Sequence, residues 1–138
     1  MNYLLSGFAC LFIVTQIVGA EAIDHHLEIR QKCFAEHGLE HASGSAAYFE
    51  NPKSKCYLKC FFEHNKLFHA NGDFDIAAAL VLVDESIRDQ ARPLGEKCAG
   101  EHNKIADRCE KAYEVMKCFF KASPELFPHL GVFEPPHA

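Results

Sequence analysis

The amino-acid sequence predicts an all-α fold of about six helices stapled by three disulfides. Three observations carry that expectation. Apolar residues recur at helical spacing in one window after another. No stretch alternates apolar and polar residues long enough to make a strand. Six cysteines, Cys33, Cys56, Cys60, Cys98, Cys109 and Cys118, follow an N-terminal export signal. An even number of thiols in a small exported chain reads as a disulfide framework. The 138 residues suffice for one domain with a substantial core.

Residues 1–20 carry no charged side chain, and the apolar run Phe8–Val14 leads into the small residues Val18-Gly19-Ala20. This reads as a secretory signal peptide cut after Ala20, which takes the seventh cysteine, Cys10, with it. A permanent membrane anchor is the competing reading. Ser6, Thr15, Gln16 and the glycines count against it. No later apolar run is long enough to span a bilayer, so no membrane insertion is expected after signal removal. The domain is then residues 21–138, with a C-terminal tail at 123–138.

Ala22–His37 is the first expected helix, with Ile23, Leu27, Arg30 and Phe34 at helical spacing and Gly38 as its stop. Ala46–Phe49 forms a short second helix, capped by Ser43 or Ser45 and ended by Asn51-Pro52. Ser54–His69 is the third, rich in aromatics. Asn71-Gly72-Asp73 is a turn, with Asp73 placed to cap the next helix. Ile76–Val83 is almost continuously apolar, so it is either buried all round or lines a cavity, and its alanines and leucines favour helix. Asp84–Asn103 continues helically, with Pro93 either kinking the segment or starting a new helix. Ala106–Lys121 is the last helix, ended by Pro124. The tail holds prolines but also Leu126, Phe127, Leu130, Val132 and Phe133, so it is expected to pack back on the domain rather than stay disordered.

Helix geometry narrows the cysteine pairing. On one helix, Cys56 and Cys60 are i,i+4 neighbours with Cβ atoms about 5–6 Å apart. A disulfide wants about 3.5–4.5 Å. Cys109 and Cys118 on one helix lie about 13 Å apart along it. Excluding both pairs leaves ten of the fifteen connectivities.

Catalytic signatures are missing: no Gly-x-Ser-x-Gly, no His-Glu-x-x-His, no phosphate loop, and no His-Asp dipeptide of the phospholipase A2 kind. No catalytic residue is assigned. Asn71–Asp75 resembles a calcium loop only faintly, because Leu67 and Ala78 would occupy its end ligand positions. Cys56, Cys60, His64 and His69 would suit zinc in a reducing compartment. In an exported chain they read as oxidised cysteines and surface histidines, so no metal and no cofactor are expected. The net charge of −5 and the lack of a Lys/Arg cluster argue against a nucleic-acid partner. Nine histidines are many for this length. His129, in the apolar part of the tail, makes tail docking a candidate for pH sensitivity.

Aromatic residues are in excess, among them Phe49, Tyr57, Phe61, Phe62, Phe68, Phe74, Tyr113, Phe119, Phe120, Phe127 and Phe133. They make either an ordinary core or the lining of a hollow one. Three disulfides, each contributing roughly 2–4 kcal/mol, let a domain tolerate an apolar pocket.

The ladder Cys33-x22-Cys56-x3-Cys60-x37-Cys98-x10-Cys109-x8-Cys118 resembles that of the insect pheromone- and general odorant-binding proteins, of the six-cysteine type. Lys55-Cys56-Tyr57-Leu58-Lys59-Cys60, Asn71-Gly72-Asp73 and Asp107-Arg108-Cys109-Glu110-Lys111-Ala112-Tyr113 fit the same pattern. The resemblance implies six helices around an apolar cavity and the pairs Cys33–Cys60, Cys56–Cys109 and Cys98–Cys118. It implies a secreted, extracellular carrier of small apolar ligands (odorant, pheromone or lipid-like), with Phe127–Phe133 suited to be a lid. Face counting then assigns Tyr57, Phe61, Leu80, Val83, Met116, Phe119, Phe120 and Phe133 to the cavity wall. A homodimer and a receptor contact are both compatible with the sequence. The competing function is a secreted interaction or effector protein (saliva, venom or seminal fluid) acting on a protein target from the same scaffold.

Overall fold

Six helices follow one another: α1 (Leu27–His37), α2 (Ser45–Glu50), α3 (Ser54–His64), α4 (Ile76–Leu82), α5 (Glu85–His102) and α6 (Arg108–Ala122). A 3₁₀ turn at Phe127–Leu130 begins the buried part of the tail. The computed structural model describes Asp24 and residues 26–135. The signal peptide expected at residues 1–20 lies outside the described residues. Among the described residues, extended pairing is limited to one isolated antiparallel bridge between Phe68 and Phe74.

Side chains cap three of the six helix starts. Asp75 accepts from the Ala78 N–H, Asp84 from the Ser86 N–H, and Asp107 from the N–H groups of Cys109 and Glu110. Each satisfies donors that the first helical turn leaves without partners. Two expected caps are replaced. Asp75 rather than Asp73 caps α4, and α2 starts after Gly44 with no side-chain cap from Ser43 or Ser45. Gly38 ends α1 in the left-handed region at φ 61°, and the Leu39 N–H closes onto the Phe34 carbonyl at 3.0 Å.

The third helix stops five residues before His69. Lys66 adopts φ 58°, and the Leu67 N–H returns to the Phe62 carbonyl at 2.8 Å. From there Leu67–Asp75 folds into a small hairpin: His69 N–H to Asp73 O at 2.7 Å, and Asp75 N–H to Leu67 O at 2.7 Å. The buried Lys111 of α6 donates from Nζ to the Gly72 carbonyl at 2.7 Å and fixes the hairpin tip to the domain. Gly72 sits at φ 93°, which only glycine adopts without strain. The segment after α4 also breaks. Val83 is extended and Asp84 opens a new helix, which runs through Pro93 rather than starting there.

The alternative that α4 is buried all round does not hold. It has no fully buried residue, and Val81 is 72% exposed. It packs on α5, whereas α3 packs on both α1 and α6. Disulfides follow the same plan. Cys33–Cys60 ties α1 to α3, Cys56–Cys109 ties α3 to α6, and Cys98–Cys118 ties α5 to α6. These are the pairs the resemblance implies.

The tail packs inward. Phe133 is 2% exposed and stacks on Tyr48, with ring centroids 4.5 Å apart and planes at 3°. It also meets Tyr57, Phe49 and Phe127. Two side chains hold the tail backbone. Tyr57 donates its hydroxyl to the Val132 carbonyl at 2.6 Å, and Arg30 Nη1 donates to the Gly131 carbonyl at 2.9 Å. Burial pushes the Tyr57 pKa up, which keeps its proton available for that bond. Arg30 is itself buried and ion-paired with Asp24.

Removing the Phe133 ring opens a hole between four aromatic neighbours. Phe133→Ala is expected to cost about 3–5 kcal/mol in denaturant unfolding. Burial works against ionisation of Asp24, but hydrogen bonds from Arg30 and the His26 N–H, and the charges of both residues, lower its pKa below 3.8. A lowered folded pKa contributes stability that is present above the ordinary carboxylate value and lost as pH falls through the folded one. Asp24→Asn should therefore flatten the acid limb of the stability profile and cost roughly 1–3 kcal/mol at neutral pH.

Candidate functional site

Two small apolar cavities lie between α4 and the α3–α6 pair, each about 50 Å³. They share five walls: Phe74, Ala79, Val83, Met116 and Leu130. One lobe extends toward α5 and α6, past Leu80, Ala91, Gly95, Val115 and Phe119. The other extends toward α3 and α1, past Phe61, Phe62, Leu67, Val132 and His26. Gly95 lets α4 come close. A Cβ built there would stand 3.3 Å from the Ile76 Cδ1.

The elements deliver these side chains for simple reasons. Met116 and Phe119 lie three residues apart on α6, so one face presents both. Ala79, Leu80 and Val83 come from the inner side of α4. Phe74 is brought in by the hairpin and stacks on Phe62 with centroids 4.7 Å apart. Leu130 and Val132 come from the tail, held by the Arg30 bond to the Gly131 carbonyl and the Tyr57 bond to the Val132 carbonyl.

Of the wall residues expected from the sequence, Phe61, Leu80, Val83, Met116 and Phe119 line the cavities. Tyr57, Phe120 and Phe133 do not. They stand in the aromatic cluster behind them, where Phe133 stacks on Tyr57 and Phe120 packs on Phe49 and Phe127. These rings are taken up by the tail rather than by empty space. The sequence reading missed His26, Phe74, Ala79 and Leu130 as walls. Ala79 sits in the segment expected to face a cavity, and Leu130 in the tail expected to close one. Phe74 stood among the excess aromatics but in a turn, where helical spacing assigns no face, and His26 is one of nine histidines.

Outside α4 lies an open groove of about 530 Å³, bounded by Arg88, Arg92 and Glu96 of α5. Phe74, Ile76 and Leu80 line both this groove and one cavity lobe, so a single layer of side chains separates them. Arg88 Nη2 donates to the Val83 carbonyl at 3.0 Å and anchors the end of α4 to α5. Its Nε is buried with no hydrogen-bond partner among the described residues.

Cys33, Cys60 and His64 place ligand-type atoms within 4.8 Å of one another. Both sulfurs belong to one disulfide, however, so the cluster offers no thiolate. Among the described residues no helix is long and apolar enough to cross a membrane.

The PBP/GOBP family model matches residues 16–122. General odorant-binding protein 99b of Drosophila melanogaster is 30% identical over 89 residues, covering 59% of this chain and 58% of that protein. General odorant-binding protein 69a of the same fly is 30% identical over 69 residues, covering 50% and 45%. The chain thus spans about half the length of these two relatives. General odorant-binding protein 72 of Anopheles gambiae is 24% identical over 108 residues, covering 72% of this chain and 88% of that protein. In architecture the chain is similar to odorant binding protein 7 of Anopheles gambiae, solved with four disulfide bridges in complex with an azo compound. That likeness has a TM-score of 0.54 at 23% identity and covers 81% of this chain and 97% of that one. With a family match over most of its length and six helices stapled by three disulfides, the chain belongs to the PBP/GOBP family.

Proposed function

We propose that this protein is a secreted carrier that takes small hydrophobic ligands into its interior and transports them through aqueous fluid. The observation that carries the reading is the pair of apolar cavities with five common walls. The charge-free N-terminal stretch and the three disulfides support export to an oxidising compartment. The azo compound bound by the Anopheles relative supports an apolar small molecule as cargo.

The mechanism is partition. A ligand that leaves water gains about 25 cal/mol per Å² of apolar surface buried. The protein contributes no chemistry beyond shape, apolarity and a polar contact. At about 50 Å³ each, the cavities fall well short of the roughly 300–1,000 Å³ of an ordinary small-molecule site. Cargo must therefore enlarge them. Met116 is the natural yielding wall, because an unbranched thioether changes rotamer at little cost. Its displacement, with that of Leu130, joins the two lobes. Entry runs past α4 rather than past the tail. Only Phe74, Ile76 and Leu80 separate the outer groove from the cavity, whereas the tail is buried among aromatic rings.

A fluorescent apolar probe should bind the purified protein and be displaced by volatile and lipid-like compounds. No probe uptake at any pH overturns the reading. Ala79 lines both lobes, so Ala79→Phe should lower probe affinity about tenfold or more with helicity unchanged by circular dichroism. If entry runs past α4, its amides should exchange with solvent faster than those of α3 and α6, and ligand should slow them.

A further inference from the structure

The two cavity lobes meet at their five common walls, so the residues that belong to one lobe alone mark its far side. In the lobe toward α5 and α6, that far side is Ala91 and Gly95 of α5 with Val115 and Phe119 of α6. None of the side chains lining this lobe carries an oxygen or a nitrogen. A polar ligand group placed there would give up its hydrogen bonds to water and gain none in return. A hydrocarbon end loses no hydrogen bond on entering.

The far side is also the part of the lobe least able to retreat. Cys98 follows Gly95 by three residues on α5, Cys118 stands directly before Phe119 on α6, and a disulfide joins them. The staple lies within one helical turn of the lobe on both helices. Ala91 is 2% exposed and Val115 1%, so protein packs behind them as well. The opposite side is built differently. Ile76 and Leu80 belong to α4, which carries no cysteine and has no fully buried residue. Ligand bulk can push α4 outward, whereas a chain end that reaches α5 and α6 meets a fixed stop. That stop is recessed, because Ala91 and Gly95 stand four residues apart on one face of α5 and present a single methyl group between them.

From this geometry we infer that the α5–α6 lobe seats an unbranched hydrocarbon end and that Ala91 and Val115 set the chain length the protein prefers. The cargo class is then a straight-chain molecule with its polar group at one end only. The inference rests on the carrier reading above and narrows its ligand class.

The test uses the whole secreted chain and a series of straight-chain methyl ketones, lengthened by one methylene at a time, each displacing a fluorescent naphthylamine probe. Affinity should rise about fourfold per methylene, the equivalent of burying one CH₂, and stop rising once the chain end reaches the stop. Ala91→Val fills the recess and should move that break to a shorter chain. Val115→Ala deepens it and should move the break to a longer one. A break that stays at the same length in either folded variant overturns the assignment. Should a variant fail to fold, the unmodified protein answers the question. A ketone with a ¹³C-labelled terminal methyl group should show nuclear Overhauser contacts to the methyl groups of Ala91 and Val115, and contacts to Leu67 of the other lobe instead overturn the assignment. A diketone of the same length as the best ketone, with a carbonyl near each end, should bind about tenfold more weakly. Equal binding of the two overturns the hydrocarbon-end reading. Affinity that rises through the whole series without a break overturns the length reading and leaves the carrier reading standing. Displacement of the probe by no ketone of any length overturns both.

Discussion

One helix, α3, is stapled twice, and the rest of the domain is arranged by that constraint. Cys56 and Cys60 stand four residues apart, yet the first is bonded to α6 and the second to α1. Helix geometry keeps such a pair too far apart to bond to each other, so the x3 spacing forces two different partners. The result is a central helix clamped between two others. Its inward residues are then shared out. Tyr57 and Phe61 face opposite tasks: Tyr57 anchors the tail through its hydroxyl, and Phe61 walls the cavity. Because covalent links restrict the unfolded chain, the folded interior need not be packed to the limit. That tolerance allows space beside Met116 without loss of the fold.

The tail belongs to the core more than to any lid. A charged side chain buried as Arg30 is destabilises unless it is paired and hydrogen-bonded. Here it has both, an ion pair with Asp24 and the Gly131 carbonyl. Moving the tail away would cost the Arg30 guanidinium its Gly131 acceptor and leave the Tyr57 hydroxyl without its own. It would also expose Phe133 and Phe127. Those penalties accrue together, so the tail opens as a unit or not at all. The outer face of α4 has no comparable anchoring, and the Arg88 bond to Val83 holds only its end.

Much of this was legible in the sequence, for reasons that differ by element. The helices came from apolar spacing, and Asp107 and Gly38 marked ends by chemistry that acts locally. The end of α3 was not legible, because Lys66 enters the left-handed region and lysine gives no signal for it. The continuous apolar run of α4 was read as cavity lining or full burial. Sequence could not say that its other face meets solvent, since apolar residues alone do not report what covers them. Met116 on α6 and Val83 just past α4, both expected in the wall, border the two cavities. Phe120 and Phe133, expected there as well, pack against other rings, which helical spacing alone does not report. His26 was illegible altogether: its position depends on Asn65, 39 residues away.

The small size of the cavities bears on how selectivity arises. A wide preformed pocket would accept any apolar body that fits, because hydrophobic contact is non-directional. Two narrow lobes joined by a yielding septum work otherwise. Every added atom of ligand must displace Met116, Leu130 or α4, so the work of opening rises with ligand bulk while the gain rises with area buried. Long, thin molecules gain most area for least displacement. On the carrier reading proposed above, such a molecule would span both lobes, with one end against the wall formed by α1 and α3. Shape alone would thus favour a slender ligand. Selectivity on this plan depends less on a list of wall residues than on which of them can move.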